Sequence, residues 1–516
     1  MAIFDQSWFS RIKRPSRYLG NEINVVKKDP AAADVSVALA FPDVYEVGMS
    51  HLGLKILYHI LNRQEWMAAE RVFCPWIDLE QELRARGLPL GSLESGRPLS
   101  DFDIVGFSLQ HELTHSNVLT MLELSGIPFL AGQREFPFPL VIAGGPACFN
   151  PEPVALLFDA MVIGDGEEVL VDICRRVRAA GGRRNARKQD LLVELAGLRG
   201  VYVPSLFNVR HKNDGRIKDI EPRLEGYRHV NKAIVPDINQ TLFPRAQVVP
   251  FTELVHDRLA VEICRGCTRG CRFCQAGMIY RPVRERRPQS VLDRADEELR
   301  LTGFEELSLL SLSSGDYECL GPLLKALMDR QARNNTAVSL PSLRVDSLDP
   351  EWFEQIKRVR KTGFTLAPEV GNDRLRRAMN KALTNEDILD MARRVYAAGW
   401  KLIKLYFMIG LPGESEKDLV DIVRLCKEVL RCAKGPGKSP KLNVSVATFV
   451  PKAHTPFMWT SQVHFEESRR RIRRIQEGLG RRPFSGVRVK WNQPELSWLE
   501  GIFSRGDRRL SCVVLE

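Results

Sequence analysis

The sequence predicts an α/β protein with two parts, an open parallel sheet followed by a partial barrel. Three observations carry this. Apolar strand-like runs alternate with amphipathic helices over most of 516 residues, which is the signature of parallel βα units. The early strands run into glycine-containing loops. From Leu259 onward the strand–helix alternation repeats six times, enough to curve a parallel sheet into a partial (βα)6 barrel whose functional loops lie at the C-terminal strand ends.

Length and composition set the frame. A chain of 516 residues is too long for one ordinary core, so several domains are expected. We divide it into a first α/β domain over 1–180, a linker module over 181–250, a barrel over 251–480 and an extension over 481–516. A 44% hydrophobic and 27% charged composition is that of a globular protein in water. No apolar run approaches the roughly twenty residues a membrane helix needs. The chain opens Met-Ala-Ile-Phe-Asp, without an apolar leader, so a reducing cytoplasm is expected and disulfides are not. The formal charge of +11 biases the surface toward anionic partners.

In chain order, a basic lead-in precedes the strand Val35–Phe41, which ends in a loop containing Asp43 and Gly48 and is followed by a helix through Leu54, Leu57, Tyr58 and Leu61. Further strands are expected at 72–74, 104–109, 139–143 and 160–163, with helices at 78–86 and 116–125 between them. Two strand ends read Gly144-Gly145 and Gly164-Asp-Gly. Glycine there permits close backbone approach, as a loop cradling a bulky or anionic ligand requires. Residues 201–209 give short strands around a hairpin turn at 211–216. The six barrel strands are expected near 259–263, 306–312, 337–340, 363–367, 402–408 and 442–449, and helices near 291–301, 320–333, 350–359, 385–398, 416–430 and 465–479 fill the gaps.

Chemistry concentrates after the first barrel strand. Four of eleven cysteines fall in Glu262–Gly277, and Cys267, Cys271 and Cys274 have C-x3-C-x2-C spacing. Three thiolates from one loop can converge on an iron–sulfur cluster, leaving one iron open to a small molecule. A structural zinc site would need a fourth ligand, Cys264 or His256, and lacks its usual spacing. Cys264 ends a strand-like run and reads as a strand-end residue. The remaining cysteines are scattered and read as buried thiols.

This stretch, with Phe273 before the last cysteine, resembles the cluster loop of the radical S-adenosylmethionine (radical SAM) superfamily, and the resemblance extends over about residues 255–480. It implies a 4Fe-4S cluster, S-adenosylmethionine as cosubstrate, and a low-potential electron donor of flavodoxin or ferredoxin type. It also implies roles at later strand ends. Ser313, Ser314 and Asp316 stand where the family holds the methionine amine, although the usual Gly-Gly-Glu is absent. Glu369 stands where a family glutamate binds ribose hydroxyls, and Gly410 and Gly413 where a glycine-rich motif meets adenine. The first domain, with Asp43, Gly48, Gly144, Gly145 and Gly164, resembles the Rossmann-like cobalamin-binding domain that precedes the barrel in a large subgroup. Cobalamin and methyl transfer are therefore expectations, with Tyr45 where a ligating histidine would stand. The rivals are methylthiolation of tRNA or a ribosomal protein, against which the first half lacks a second cysteine triplet, and a non-catalytic metal- or RNA-binding scaffold. RNA or protein remain open as substrates. The arginine-rich run at 467–475 and Arg284, Arg286 and Arg287 read as a solvated surface or as RNA contacts.

Overall fold

The computed structural model describes residues 10–182, 187–331, 336–341, 364–433, 440–480 and 486–516. The chain forms two compact units. One comprises Met1–Asp257, Arg300–Gly303 and Gly506–Glu516; the other comprises Arg258–Leu299 and Phe304–Arg505. The expected helix at 350–359 lies outside the described residues. No described helix is long and apolar enough to cross a membrane.

The first unit is built on a six-stranded sheet in the order β2-β1-β3-β4-β5-β6. Its strands are β1 (Val35–Phe41), β2 (Met67–Phe73), β3 (Ile104–Ser108), β4 (Leu140–Gly144), β5 (Ala160–Val162) and β6 (Val201–Tyr202). The first five run parallel, while β6 pairs antiparallel with β5. All seven residues of β1 are buried, as a strand covered on both faces requires. The helices are α1 (Leu52–Asn62), α2 (Ile77–Arg86), α3 (His115–Leu124), α4 (Val169–Ala179) and α5 (Lys188–Ala196). Because β1 pairs with both β2 and β3, strand order reverses beside it, and the crevice at its C-terminal end is a ligand position in such sheets.

The linker expected at 181–250 is corrected. Its β6 completes the sheet, and the hairpin β7 (Phe207–His211) and β8 (Ile217–Pro222) also belongs to the first unit. Residues 506–516 belong there too: Arg508 Nε donates to Glu152 Oε2 at 2.8 Å and Ser511 Oγ to the Pro153 carbonyl at 3.0 Å. The basic lead-in is likewise engaged, with Arg14 and Arg17 both paired to Glu46.

In the second unit the six expected strands all appear. They are β9 (Leu259–Glu262), β12 (Glu306–Leu310), β13 (Ala337–Ser339), β14 (Phe364–Glu369), β15 (Leu402–Ile409) and β16 (Lys441–Thr448), with a short antiparallel pair, β10 (Cys264–Arg265) and β11 (Arg284–Glu285), after the first. A seventh strand, β17 (Val487–Trp491), pairs parallel with β16, so the expected extension at 481–516 is divided between the two units. The described ladders are β13-β12-β9 and β14-β15-β16-β17, all parallel, the arrangement of a partial TIM-type barrel. The helices are α6 (Pro288–Thr302), α7 (Leu320–Gln331), α8 (Asp373–Ala378), α9 (Asn385–Ala397), α10 (Glu416–Arg431), α11 (Phe465–Leu479) and α12 (Pro494–Arg505), with α13 (Leu510–Leu515) returning to the first unit.

Alternation decides which face of each strand packs. Ile403, Leu405, Phe407 and Ile409 of β15 share one core with Ile388 and Val395 of α9, Ile422 and Leu425 of α10, and Ile472 and Ile475 of α11. Capping boxes fix where two of these helices start: Thr384 with Asp387 on α9, and Ser415 with Asp418 on α10. Each satisfies backbone donors that a helix N-terminus leaves open.

Candidate functional site

The cysteine loop is closed at its neck. Strands β10 and β11 bring 264–265 against 284–285, and Gly266 sits so tightly there that a Cβ would lie 2.8 Å from the Tyr280 and Pro282 carbonyls. Its φ of 97° is open to glycine alone. Cys267, Cys271 and Cys274 are half-buried on the loop between these ends. Burial pushes the Cys274 thiol up, the Gly277 N–H opposes this, and Cys271, Cys267 and Glu369 are near enough to add to it.

Among the described residues, no three thiol and carboxylate atoms of this loop lie within 4.8 Å of one another. Ligands of one tetrahedral zinc at about 2.3 Å would stand roughly 3.8 Å apart. The loop is therefore not closed around a single tetrahedral ion. Cys264 stays apart as a strand residue, buried, its thiol pushed up to about 12 by burial first and then by Glu285 and Glu262.

Neighbouring strand ends grip the loop. Arg269, between the first two cysteines, forms a bidentate pair with Asp316, its Nε 2.8 Å from Oδ2. Asn380 Nδ2 donates to the Gly270 carbonyl at 3.0 Å, the Arg272 N–H to the Met379 carbonyl at 3.0 Å, and the Phe457 N–H to the Arg272 carbonyl at 3.2 Å. Phe273 packs against a small cluster of Val370, Leu375, Met379, Leu411 and Phe449. The aromatic before the last cysteine thus anchors the loop to the ends of three other strands.

The remaining predicted residues sort by partner. Asp316 is taken by Arg269, which changes its expected role. Ser314 Oγ donates to the Pro341 carbonyl at 2.5 Å and accepts from Ser311 Oγ at 3.1 Å. Ser313 differs: its Oγ is buried and has no hydrogen-bond partner, an orphan that a bound polar group would satisfy. Glu369 ends β14 beside a register shift, adopts φ 64°, and pairs with Lys381 at 2.7 Å. Gly410, at φ 84°, has Val463 where a Cβ would point, 2.6 Å away, while Gly413 at φ 73° has open space there. The turn is pinned by Glu414, which sequence reading passed over. It accepts the Gly410 N–H at 2.9 Å and pairs with Arg471 at 2.5 Å, its carboxyl raised by burial against those contacts.

The arginine-rich helix is largely ion-paired. Arg470 and Arg471 both meet Glu467, and Arg469 meets Glu495. Arg286 is buried and paired with Glu262, and Arg284 donates to the Tyr280 and Pro282 carbonyls.

In the first unit Asp43 lies beyond β1, its Oδ1 accepting the Val44 N–H at 2.7 Å. Tyr45 is buried and donates to Glu22 Oε1 at 2.9 Å, inside a network in which Arg71 pairs with Glu22 and Glu94. His51 caps α1, its Nδ1 accepting the Leu54 N–H at 3.3 Å, with burial lowering its pKa to about 4. Gly48 makes room for Phe73, 2.2 Å from its ideal Cβ; Gly145, at φ 110°, abuts the Leu109 carbonyl; Gly144 makes only ordinary contact with Val162. Gly164 is corrected: at φ 118° it bridges to Ala233, whose carbonyl would lie 2.1 Å from a Cβ. The close approach there is to the chain's own residues and leaves no cradle for a ligand.

Residues 53–204 match the family described as radical SAM proteins, N-terminal, and 261–426 match the radical SAM superfamily. The chain belongs to the radical SAM superfamily and is a radical SAM enzyme, whose domain implies a 4Fe-4S cluster and S-adenosylmethionine. It is 26% identical over 483 residues to an uncharacterized protein of Methanocaldococcus jannaschii, covering 92% of this chain and 90% of that one. It is 25% identical over 213 residues to the threonylcarbamoyladenosine tRNA methylthiotransferase MtaB of Treponema pallidum, where the match takes in 40% of this chain and 44% of the relative. In fold it is similar to the radical SAM methyltransferase TsrM of Kitasatospora setae, with TM-score 0.52 and 14% identity over 79% of this chain and 72% of that one. It is also similar to the cobalamin-dependent radical enzyme OxsB, with TM-score 0.50 and 14% identity over 76% and 52%.

Proposed function

We propose that this enzyme transfers a one-carbon group, with the cluster on Cys267, Cys271 and Cys274 and S-adenosylmethionine against the ends of β12, β14 and β15. The observation that carries the reading is three half-buried cysteines on one loop beyond β9, with Glu369 at the end of β14 near enough to act on the Cys274 thiol. Given an electron from a low-potential donor, the cluster supplies reductive cleavage of S-adenosylmethionine to a 5'-deoxyadenosyl radical. This chain's residues do the placing. Ser313 Oγ gains a partner from the methionine end; Glu369 accepts the ribose hydroxyl protons; Gly410 makes room for Val463 and so shapes the turn, while Gly413 leaves open space for the adenine edge. Arg269, Asp316, Asn380 and Phe273 hold the loop still, so the reacting atoms meet in one geometry.

The first unit is read as the corrinoid domain, supported by the likeness to TsrM and OxsB and by the Asp43 loop at the reversal of strand order. Tyr45, tied to Glu22, and His51, tied to the Leu54 N–H, give it no histidine ligand from this loop. A cobalt(II) spectrum without nitrogen superhyperfine splitting supports this, and such splitting refutes it. Methylthiolation is disfavoured. Cys74, Cys148 and Cys174 are buried within the core of the first unit, and among the described residues they do not come together as a three-thiolate site for an auxiliary cluster.

The test is anaerobic reconstitution with iron and sulfide, reduction, and measurement of 5'-deoxyadenosine from S-adenosylmethionine. Its release supports the reading; fully loaded protein that releases none overturns it.

A further inference from the structure

Strands β14 to β17 bury one face under α9, α10 and α11 through Leu366, Leu405 and Val444, with Val489 packed against the same core. Alternation sends the intervening residues to the opposite face, the inner wall of the barrel. The ladder aligns them in two rows: Thr365, Lys404, Asn443 and Arg488 in one, and Tyr406, Ser445 and Lys490 in the next. Arg488 and Lys490 are exposed, Lys404 is half-buried, and Tyr406 is 46% exposed. None of these four side chains forms a hydrogen bond or ion pair with another described residue.

Nothing else on the described wall neutralises them. Its carboxylates in the companion sheet, Glu262 and Glu306, are engaged by Arg265 at 2.9 Å and Arg258 at 2.8 Å. Lys404 and Arg488 stand two strands apart, about 10 Å, and Arg488 and Lys490 two residues apart, roughly 6.6 Å. One small anion cannot reach all three, whereas successive phosphates of a strand can. Tyr406 lies among them with an open ring for base stacking.

Resting on the barrel reading above, we propose that this wall binds a single-stranded polynucleotide as the enzyme's substrate. The cations take its phosphates, Asn443 and Ser445 supply hydrogen bonds, and Tyr406 stacks a base.

The test is fluorescence anisotropy of the full chain with a labelled single-stranded RNA 12-mer over a salt series. Three phosphate contacts give log K against log salt a slope of about −2. The double variant Arg488→Gln/Lys490→Gln should flatten this by about 1.4 and weaken binding at least tenfold, with its melting temperature kept. Tyr406→Leu should weaken binding roughly tenfold with the slope unchanged, a split that a folding defect would not produce. Arg473→Gln/Arg474→Gln, on the outer face of α11, should change neither. Wild-type affinity and slope in the Arg488/Lys490 variant, or equal displacement of the RNA by a poly-glutamate peptide, would overturn the proposal. Release of 5'-deoxyadenosine without any oligonucleotide reports on the cluster reading separately, and survives failure of this one.

Discussion

Glu369 holds a left-handed backbone conformation, φ 64°, while its Oε1 accepts from Lys381 Nζ at 2.7 Å. A residue with a Cβ costs about 1–2 kcal/mol in that region, and such strain clusters at ligand sites. Lys381 follows Asn380, which grips the cysteine loop. The carboxylate is therefore aimed by the same segment that steadies the cluster loop.

Replacing Glu369 with Gln should remove a charge-assisted interaction of about 1.5–3 kcal/mol and weaken S-adenosylmethionine binding ten- to a hundredfold. Iron content should not change. Calorimetry on reconstituted protein checks both; unaltered affinity would remove Glu369 from the nucleoside site.

The cluster assignment predicts an asymmetry among four neighbouring cysteines. Alanine at Cys267, Cys271 or Cys274 should abolish visible absorbance after reconstitution, and alanine at Cys264 should leave it. Full iron loading of Cys271→Ala would contradict the assignment.

Arg269 and Asp316 act as one clamp across 47 residues of sequence. Arg269→Gln, Asp316→Asn and the double variant should slow cluster loading alike, because breaking either end releases the loop. A Asp316→Asn defect in S-adenosylmethionine affinity that Arg269→Gln does not share would instead make Asp316 a direct ligand.

Asp418 provides the pH-dependent case. Burial works to raise its carboxyl, but the Ser415 N–H and hydroxyl, Asn372 and Arg374 outweigh it and hold the pKa near 2, below the usual 3.8. A lowered carboxylate stabilises above its unfolded pKa and loses that contribution as pH falls from about 4 toward 2. The effect is about 2 kcal/mol. Asp418→Asn should lower stability at pH 7 and flatten the acid limb of an unfolding titration.

Local pattern revealed most of the framework. Alternation and helical spacing located the six barrel strands within a few residues, and cysteine spacing located the loop, because these signals span fewer than ten positions. Pairings between distant residues left no such trace. Asp316 read as a candidate for the methionine amine because nothing near it in sequence announces Arg269. Gly164 read as a ligand cradle because its bridging partner, Ala233, belongs to a stretch that resembled a linker. The Val-Arg-Val-Lys-Trp alternation of β17 was visible, but a lone strand has no register until β16 is beside it.

Arg508 on Glu152, together with Ser511 on Pro153, means that the first unit receives its closing contacts from residues more than 350 positions later. A ribosome therefore delivers the whole barrel before that unit can be completed. Throughout synthesis the early sheet waits with one flank uncovered, and folding cannot proceed simply from first unit to second. The barrel is an insertion within the first unit, whose last contacts form only after the barrel has been synthesised.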